Sequence, residues 1–249
     1  MAQASTLVLR STLKELGKCA KKIAAAAPTP LTTAHAELQI GLGTCADWIA
    51  WAASLRTLDF SSARKRRSPR SVNYLESTRF TFVWTGANAL FSRDQILARL
   101  TSSALPASEL DRFVILYRAA ALSSTEQAAL LAPMHRTLGL TRKPEAFPWA
   151  PLSSIRIIDL VYHKYTPDMY KSRGAAARRV KDVATGAQPI TSLDLPTLIY
   201  ATRNWILHGA LVDSSFRGSP RDYRVFVTAA TDALAIIVGR VANALSCVL

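Results

Sequence analysis

Three side chains that can transfer a proton or stabilise negative charge stand close together at 203–208. Arg203 supplies a guanidinium group, Asn204 an amide and His208 an imidazole. An imidazole near its unperturbed pKa exchanges protons near neutral pH, whereas a guanidinium group stays charged and binds oxyanions such as phosphate. The combination therefore indicates acid–base chemistry beside a negatively charged group.

The surrounding residues predict a helix over 194–209 that carries this trio. Asp194 can cap the helix start, and Pro196 is tolerated in the first turn, where its missing N–H needs no partner. Gly209 is a typical C-terminal stop. Positions at helical spacing predict one buried face: Leu195, Leu198, Ile199, Thr202 and Ile206.

Helical geometry makes the site of a single chain incomplete. Because each residue of an α-helix turns by about 100°, Asn204 and His208 stack one turn apart, while Arg203 is offset from His208 by about 140°. Arg203 therefore cannot simply lie beside that ring. An isologous twofold dimer would bring together two imidazoles and two guanidinium groups.

The run Arg203-Asn204-Trp205-Ile206-Leu207-His208-Gly209 resembles the R-N-x-x-x-H-G signature of the HEPN superfamily. The resemblance is strongest over 190–245. It extends to 72–92, where Trp84 and Asn88 stand in for the Trp and Asn of an early HEPN helix. It implies an all-α, HEPN-like helical bundle, here with additional helices and a basic N-terminal arm.

The same resemblance implies a metal-independent endoribonuclease that works as a homodimer without a cofactor. It also implies a role as a toxin or antiphage-defence module, with an antitoxin or other regulatory partner. In that mechanism His208 is the acid or base, Arg203 holds the phosphate, and Asn204 orients the ring or the substrate. The expected product carries a 2′,3′-cyclic phosphate. A non-catalytic HEPN-like module that binds RNA or nucleotide, or scaffolds a partner, is the alternative.

The charge of the chain favours a polyanionic partner. Lys and Arg number 31 against 17 Asp and Glu, so the formal net charge is +14. Such a field attracts nucleic acid first and an acidic membrane surface second. The candidate RNA-binding residues fall in two basic segments: Arg64, Lys65, Arg66, Arg67 and Arg70, and then Lys171, Arg173, Arg178 and Arg179. Ser61–Arg70 is predicted to be an exposed loop, with a nuclear localisation signal as the weaker interpretation.

Apolar periodicity predicts helices and no clear strand. We expect a basic arm over 1–31 and one helical domain over 32–249, with an early core helix at 72–91 and the motif-bearing core at 190–245. The predicted helices are 7–26, 32–56, 72–91, 94–103, 108–121, 124–138, 153–165, 194–209 and 222–245. Ser124 and Gln127 are spaced as a capping box.

Other classes of chemistry lack their residue patterns. Cys19, Cys45 and Cys247 form no C-x-x-C pair, so neither a zinc site nor a disulfide framework is predicted, which fits a cytoplasmic protein. The apolar run 225–249 is interrupted by Asp232 and Arg240, which argues against a membrane span. A basic DNA-binding protein ranks lower because no helix-turn-helix is recognisable. The remaining histidines match no motif: His35, His135 and His163.

Overall fold

The computed structural model of the protein describes residues 2–56, 69–137, 194–207 and 220–247. Within these ranges the chain forms eight α-helices and no β-strand, which confirms the all-α prediction. The helices are α1 (Ala2–Ala25), α2 (Thr33–Ser54), α3 (Pro69–Phe91), α4 (Asp94–Leu100), α5 (Glu109–Ala119), α6 (Ser124–Thr137), α7 (Asp194–Leu207) and α8 (Pro220–Leu245). The helix predicted at 153–165 and the loop at 139–151 lie outside the described residues.

Local side chains fix several helix starts. Thr32 Oγ1 accepts a hydrogen bond from the backbone N–H of His35 at 3.3 Å and so caps α2. Ser108 caps α5 in the same way by accepting from Asp111 N at 3.5 Å. Each cap supplies a partner for a first-turn N–H that has none within the helix.

The capping box of α6 is one position earlier than predicted. Ser123 Oγ accepts from Glu126 N at 3.2 Å, and the Glu126 carboxylate accepts from Ser123 N at 2.9 Å. The predicted pair, Ser124 and Gln127, was therefore wrong. Either register matches the pattern, but a carboxylate is a stronger acceptor than an amide and also favours the positive end of the helix dipole.

The chain divides into two compact units. Unit 1 comprises Met1–Leu55, Thr81–Leu122 and Thr231–Leu249, and unit 2 comprises Arg56–Phe80 and Ser123–Ala230. Both α3 and α8 contribute residues to each unit. The expectation of an arm over 1–31 and one helical domain over 32–249 stays a prediction.

The core of unit 1 includes the helix of the expected arm. On α1, Leu9, Leu16, Cys19 and Ile23 are at most 1% exposed, and α1 packs against α2. On α2 the predicted stripe is buried: Leu38, Leu42, Cys45, Ile49 and Ala53. Thr12 Oγ1 donates a hydrogen bond of 2.9 Å to the Ala235 carbonyl, which joins α1 to α8. The apolar face of α1 is thus part of a packed interior.

The predicted aromatic stripe of α3 also lies in the core. Trp84 is 4% exposed, and its ring centroid lies 5.6 Å from that of Phe91 and 5.0 Å from that of Phe113 on α5. These tilted and edge-on contacts are the arrangements that aromatic rings prefer. Trp84, one of the two residues behind the resemblance at 72–92, therefore has a packing role here, whereas Asn88 is half-buried.

α8 is the one described helix that is long and apolar enough to cross a membrane. Over Arg224–Leu245 its best window has a mean hydropathy of 1.8, and 72% of that window is buried inside the protein. The inner face predicted from the sequence is buried: Val227, Ala230, Leu234, Ile237, Val241 and Leu245. The core helix of a soluble protein has the same pattern, so this evidence for a membrane span is weak.

Candidate functional site

The motif helix, α7, is anchored in unit 2 by the residues predicted to be its buried face. Leu195, Leu198 and Ile199 are at most 1% exposed, and α7 packs against α6. Ile206, also predicted inward, is half-buried. Asp194 is 2% exposed at the first position of the helix, so the start of α7 lies inside the unit. Burial of this face fixes which side of α7 can meet a substrate.

Thr202 contributes to this anchoring and not to the exposed side. It is fully buried, and its hydroxyl donates a hydrogen bond of 2.8 Å to the Leu198 carbonyl one turn earlier. The bond satisfies a hydroxyl that would otherwise be costly to bury. Thr202 therefore completes the apolar face without disturbing it.

Arg203 lies at the edge of the buried face. It follows Ile199 by one turn of helix and is half-buried. Its guanidinium carbon lies 5.8 Å from the centroid of the Tyr200 ring, also one turn earlier, which is within the range of a cation–π contact. The ring limits the positions open to a long, flexible side chain. A cation held in this way can bind an anion at a smaller entropic cost than a freely moving arginine.

The other members of the trio are only partly covered by the described structure. Asn204 belongs to α7, but its side chain lies outside what is described. His208 is the residue after the last described position of α7 and lies outside the described residues, as does Gly209. The distances among the three groups therefore stay a prediction from helical geometry.

The basic segments are likewise mostly outside the described residues. This holds for Arg64, Lys65, Arg66 and Arg67 in the first segment and for Lys171, Arg173, Arg178 and Arg179 in the second. Arg70 is different, because it lies in the first turn of α3 rather than in a loop. Pro69 begins that helix, in a position where proline is favoured, so the loop predicted over 61–70 extended too far.

Sequence reasoning missed a buried ion pair on α3. Arg79 Nη1 lies 2.7 Å from Glu76 Oε1, and the two side chains are 4% and 3% exposed. Thr228 Oγ1 on α8 donates to the other carboxylate oxygen, Oε2, at 3.3 Å. The available signal was an acid and a base three positions apart, directly before the apolar stripe that starts at Phe80. The pair is closed to solvent, so it supports the packing of α3 rather than binding a substrate.

Metal ligands do not gather anywhere in the described part of the chain. No group of three or more His, Cys, Asp or Glu side chains there has the geometry to hold a metal ion. Of the histidines outside the motif, His35 lies in the first turn of α2, with Nδ1 at 3.5 Å from Thr32 Oγ1. His135 lies in α6, but its side chain is not described, and His163 lies outside the described residues.

The fold and the described side chains define an all-α protein with an arginine held at the edge of the buried face of α7. Comparison of the chain with protein-family models, with curated proteins and with solved structures finds no match. The resemblance to HEPN domains therefore depends on the motif residues and on their helical context.

Proposed function

We propose that this protein is a metal-independent endoribonuclease of the HEPN type, which cleaves RNA as a homodimer. The observation that carries the proposal is Arg203, held half-buried beside Tyr200 on a helix whose next residues complete the R-N-x-x-x-H-G run. The net charge of +14 supports RNA as the substrate because it favours encounter with a polyanion.

The proposed reaction is attack of a ribose 2′-OH on the adjacent phosphorus. One imidazole removes the 2′-proton, the bond from phosphorus to the 5′-oxygen breaks, and a second imidazole protonates that oxygen. The products are a 2′,3′-cyclic phosphate and a 5′-hydroxyl. His208 from each chain supplies the two imidazoles, and Arg203 stabilises the charge that builds up on the phosphoryl oxygens. Asn204 orients the imidazole or the substrate.

The proposal of a dimer follows from the need for two imidazoles, one as base and one as acid. A single imidazole would have to act as both base and acid in one cleavage event, whereas twofold symmetry supplies one imidazole for each role. An endonuclease that cuts cellular RNA also has to be held inactive until needed. We therefore propose a toxin or defence role with an antitoxin or regulatory partner.

The test is cleavage of a fluorescent RNA in EDTA by the purified full chain and by His208→Ala, Arg203→Ala and Asn204→Ala. We expect loss of activity of at least about 100-fold for His208→Ala, as is usual for removal of an acid–base group. Arg118→Ala is the matched control, because it removes one positive charge from an exposed position on α5. Mass spectrometry of the products should find the 2′,3′-cyclic phosphate, and a DNA of the same sequence should stay intact because it lacks the 2′-OH.

The outcomes separate the functions considered. Cleavage that survives both His208→Ala and Arg203→Ala would remove the proposed site. RNA binding without cleavage in every preparation would favour the non-catalytic HEPN-like module, and equal affinity for DNA across salt concentrations would favour the DNA-binding alternative. A strictly monomeric active enzyme in light scattering would contradict the shared site.

A further inference from the structure

α1 and α8 pack side by side in unit 1 and run in the same direction. Thr12 donates to the Ala235 carbonyl, and a Cβ atom built on Gly239 would lie 3.6 Å from Thr12 Oγ1 and 3.7 Å from Thr12 Cα. A Cβ atom at that distance would be in ordinary van der Waals contact, so the two helices are adjacent at this point. One turn further along both helices, Glu15 and Asn243 line the same groove.

This register brings two cysteines to the same level. One turn beyond Glu15 on α1 is Cys19, and one turn beyond Asn243 is Cys247, in the turn that follows α8. This turn is closed by two hydrogen bonds, from Ser246 N–H to the Ala242 carbonyl at 3.1 Å and from Cys247 N–H to the Ala244 carbonyl at 3.0 Å. Cys19 is 1% exposed and Cys247 is exposed, and neither is in a disulfide.

The two thiols are also within electrostatic reach of each other. Burial raises the pKa of Cys19 to about 11, the positive charge of Lys22 acts in the opposite direction, and the charge of Cys247 acts in the same direction as burial. Cys45 differs, because it lies at 0% exposure on α2 and burial alone raises its pKa. Cys247 thus acts on Cys19, whereas no other thiol acts on Cys45.

We propose that Cys19 and Cys247 are a redox-sensitive pair, which a peroxide converts to an intramolecular disulfide that ties the end of α8 to α1. Exposed Cys247 meets the oxidant first. Its thiolate attacks one peroxide oxygen, the O–O bond breaks, and a sulfenic acid and hydroxide form. The Cys19 thiolate then attacks the Cys247 sulfur, the S–O bond breaks, and a second hydroxide leaves. In total, two thiols and one hydrogen peroxide give a disulfide and two waters.

The raised pKa of Cys19 makes its step dependent on pH. Only the thiolate attacks, and well below a pKa of about 11 the thiolate fraction rises about tenfold per pH unit. At pH 7 the Cys247 sulfenic acid should therefore persist long enough to react with dimedone. At pH 9 disulfide formation should outcompete that trapping.

The test treats the reduced full chain with hydrogen peroxide and counts free thiols, with peptide mass spectrometry to find linked cysteines. We expect the count to fall from three to one, with a Cys19–Cys247 cross-link, and the same link in Cys45→Ala. Cys247→Ser should form no intramolecular link. A Cys247–Cys247 bond between chains as the main product, or a Cys247 sulfenic acid that persists at pH 9, would overturn the proposal. Circular dichroism of Cys45→Ala and Cys247→Ser before oxidation shows whether each variant is folded, so a folding defect is distinguished from a missing cross-link.

Discussion

At the scale of single residues, the ring of Tyr200 faces Arg203, the one motif cation that the structure describes. The guanidinium carbon of Arg203 lies 5.8 Å from the ring centroid, and both residues are half-buried. A cation–π contact at a partly exposed site is worth about 0.5–1 kcal/mol. Tyr200 would thus act on the proposed reaction through Arg203, as a positioning residue.

We expect Tyr200→Leu to lower kcat/KM for RNA cleavage by about two- to fivefold, which is the kinetic equivalent of losing that contact. Tyr200→Phe keeps the ring and should stay within about twofold of the wild type by the same reasoning. The measurement is initial cleavage rates below KM. If Phe were as damaging as Leu, the hydroxyl rather than the ring would be what matters.

The buried ion pair on α3 gives a second prediction at this scale. Removing the charge of one partner leaves the other charge buried and unpaired, so Glu76→Gln should lower the free energy of unfolding by about 3–5 kcal/mol. Replacing both, as in Glu76→Leu with Arg79→Met, should recover much of that loss, because no charge is then left in the interior. Urea unfolding followed by circular dichroism measures both.

A matched control for the buried pair is the exposed one on α1. Lys18 Nζ lies 2.8 Å from Glu15 Oε1, but the Lys18 side chain is 56% exposed. Lys18→Met should hardly change stability, because surface ion pairs contribute little. Equal losses from Lys18→Met and Glu76→Gln would contradict the importance of burial.

At the scale of elements, α2 contains two glycines whose effects on helix packing differ because their neighbours differ. Gly41 and Gly43 lie in the same helix and both weaken it intrinsically. A Cβ atom on Gly43 would meet nothing within 4 Å. On Gly41 it would lie 2.5 Å from Ile96 Cδ1 of α4 and 3.2 Å from the Ala89 carbonyl of α3. Gly41 thus permits the close approach of these helices, and Gly43 has no such role.

Gly43→Ala should therefore raise the free energy of unfolding by about 0.5–1 kcal/mol, the usual difference between alanine and glycine inside a helix. Gly41→Ala should lower it by about 1–3 kcal/mol, since an added methyl group has to displace its neighbours. Thermal unfolding of both variants measures the difference. Stabilisation by Gly41→Ala would mean that α3 and α4 leave room for a methyl group at this position of α2.

Net charge acts at the scale of the whole molecule. A chain of +14 should bind RNA with an affinity that falls steeply as salt rises, because each phosphate contact releases counterions. The basic residues are not equivalent, however. Those at 64–67 were predicted to contact RNA, whereas several lysines of α1 are simply exposed on the surface of unit 1.

We expect the combined change of Arg64, Lys65, Arg66 and Arg67 to Gln to make the slope of log K against log salt concentration less steep. The slope should change by about 0.7 for each lost contact with single-stranded RNA. The matched control changes the same number of exposed lysines on α1 to Gln: Lys14, Lys18, Lys21 and Lys22. The control should lower affinity without flattening the slope as much. Equal slopes for the two variants would mean that RNA responds to overall charge and not to the predicted segment.

What the sequence determined by itself was local. The stripes of α2, α3 and α8 could be predicted because helical periodicity fixes which residues share a face, whatever that face later contacts. Thr32 and Ser108 could be recognised as helix starts because a cap satisfies N–H groups a few residues away. The trio at 203–208 was also visible in this way, since its proposed chemistry depends on residue types and helical spacing.

What only the tertiary structure decided were the contacts between residues far apart in the chain. Thr12 bonds Ala235, and Thr228 bonds Glu76, across separations of 223 and 152 positions. The register of α1 against α8, and the burial of Glu76 and Arg79, have the same origin. Periodicity specifies a face but not its partner, because many helices could cover the same face. The choice among them depends on close fit, such as the approach of Ile96 that Gly41 permits.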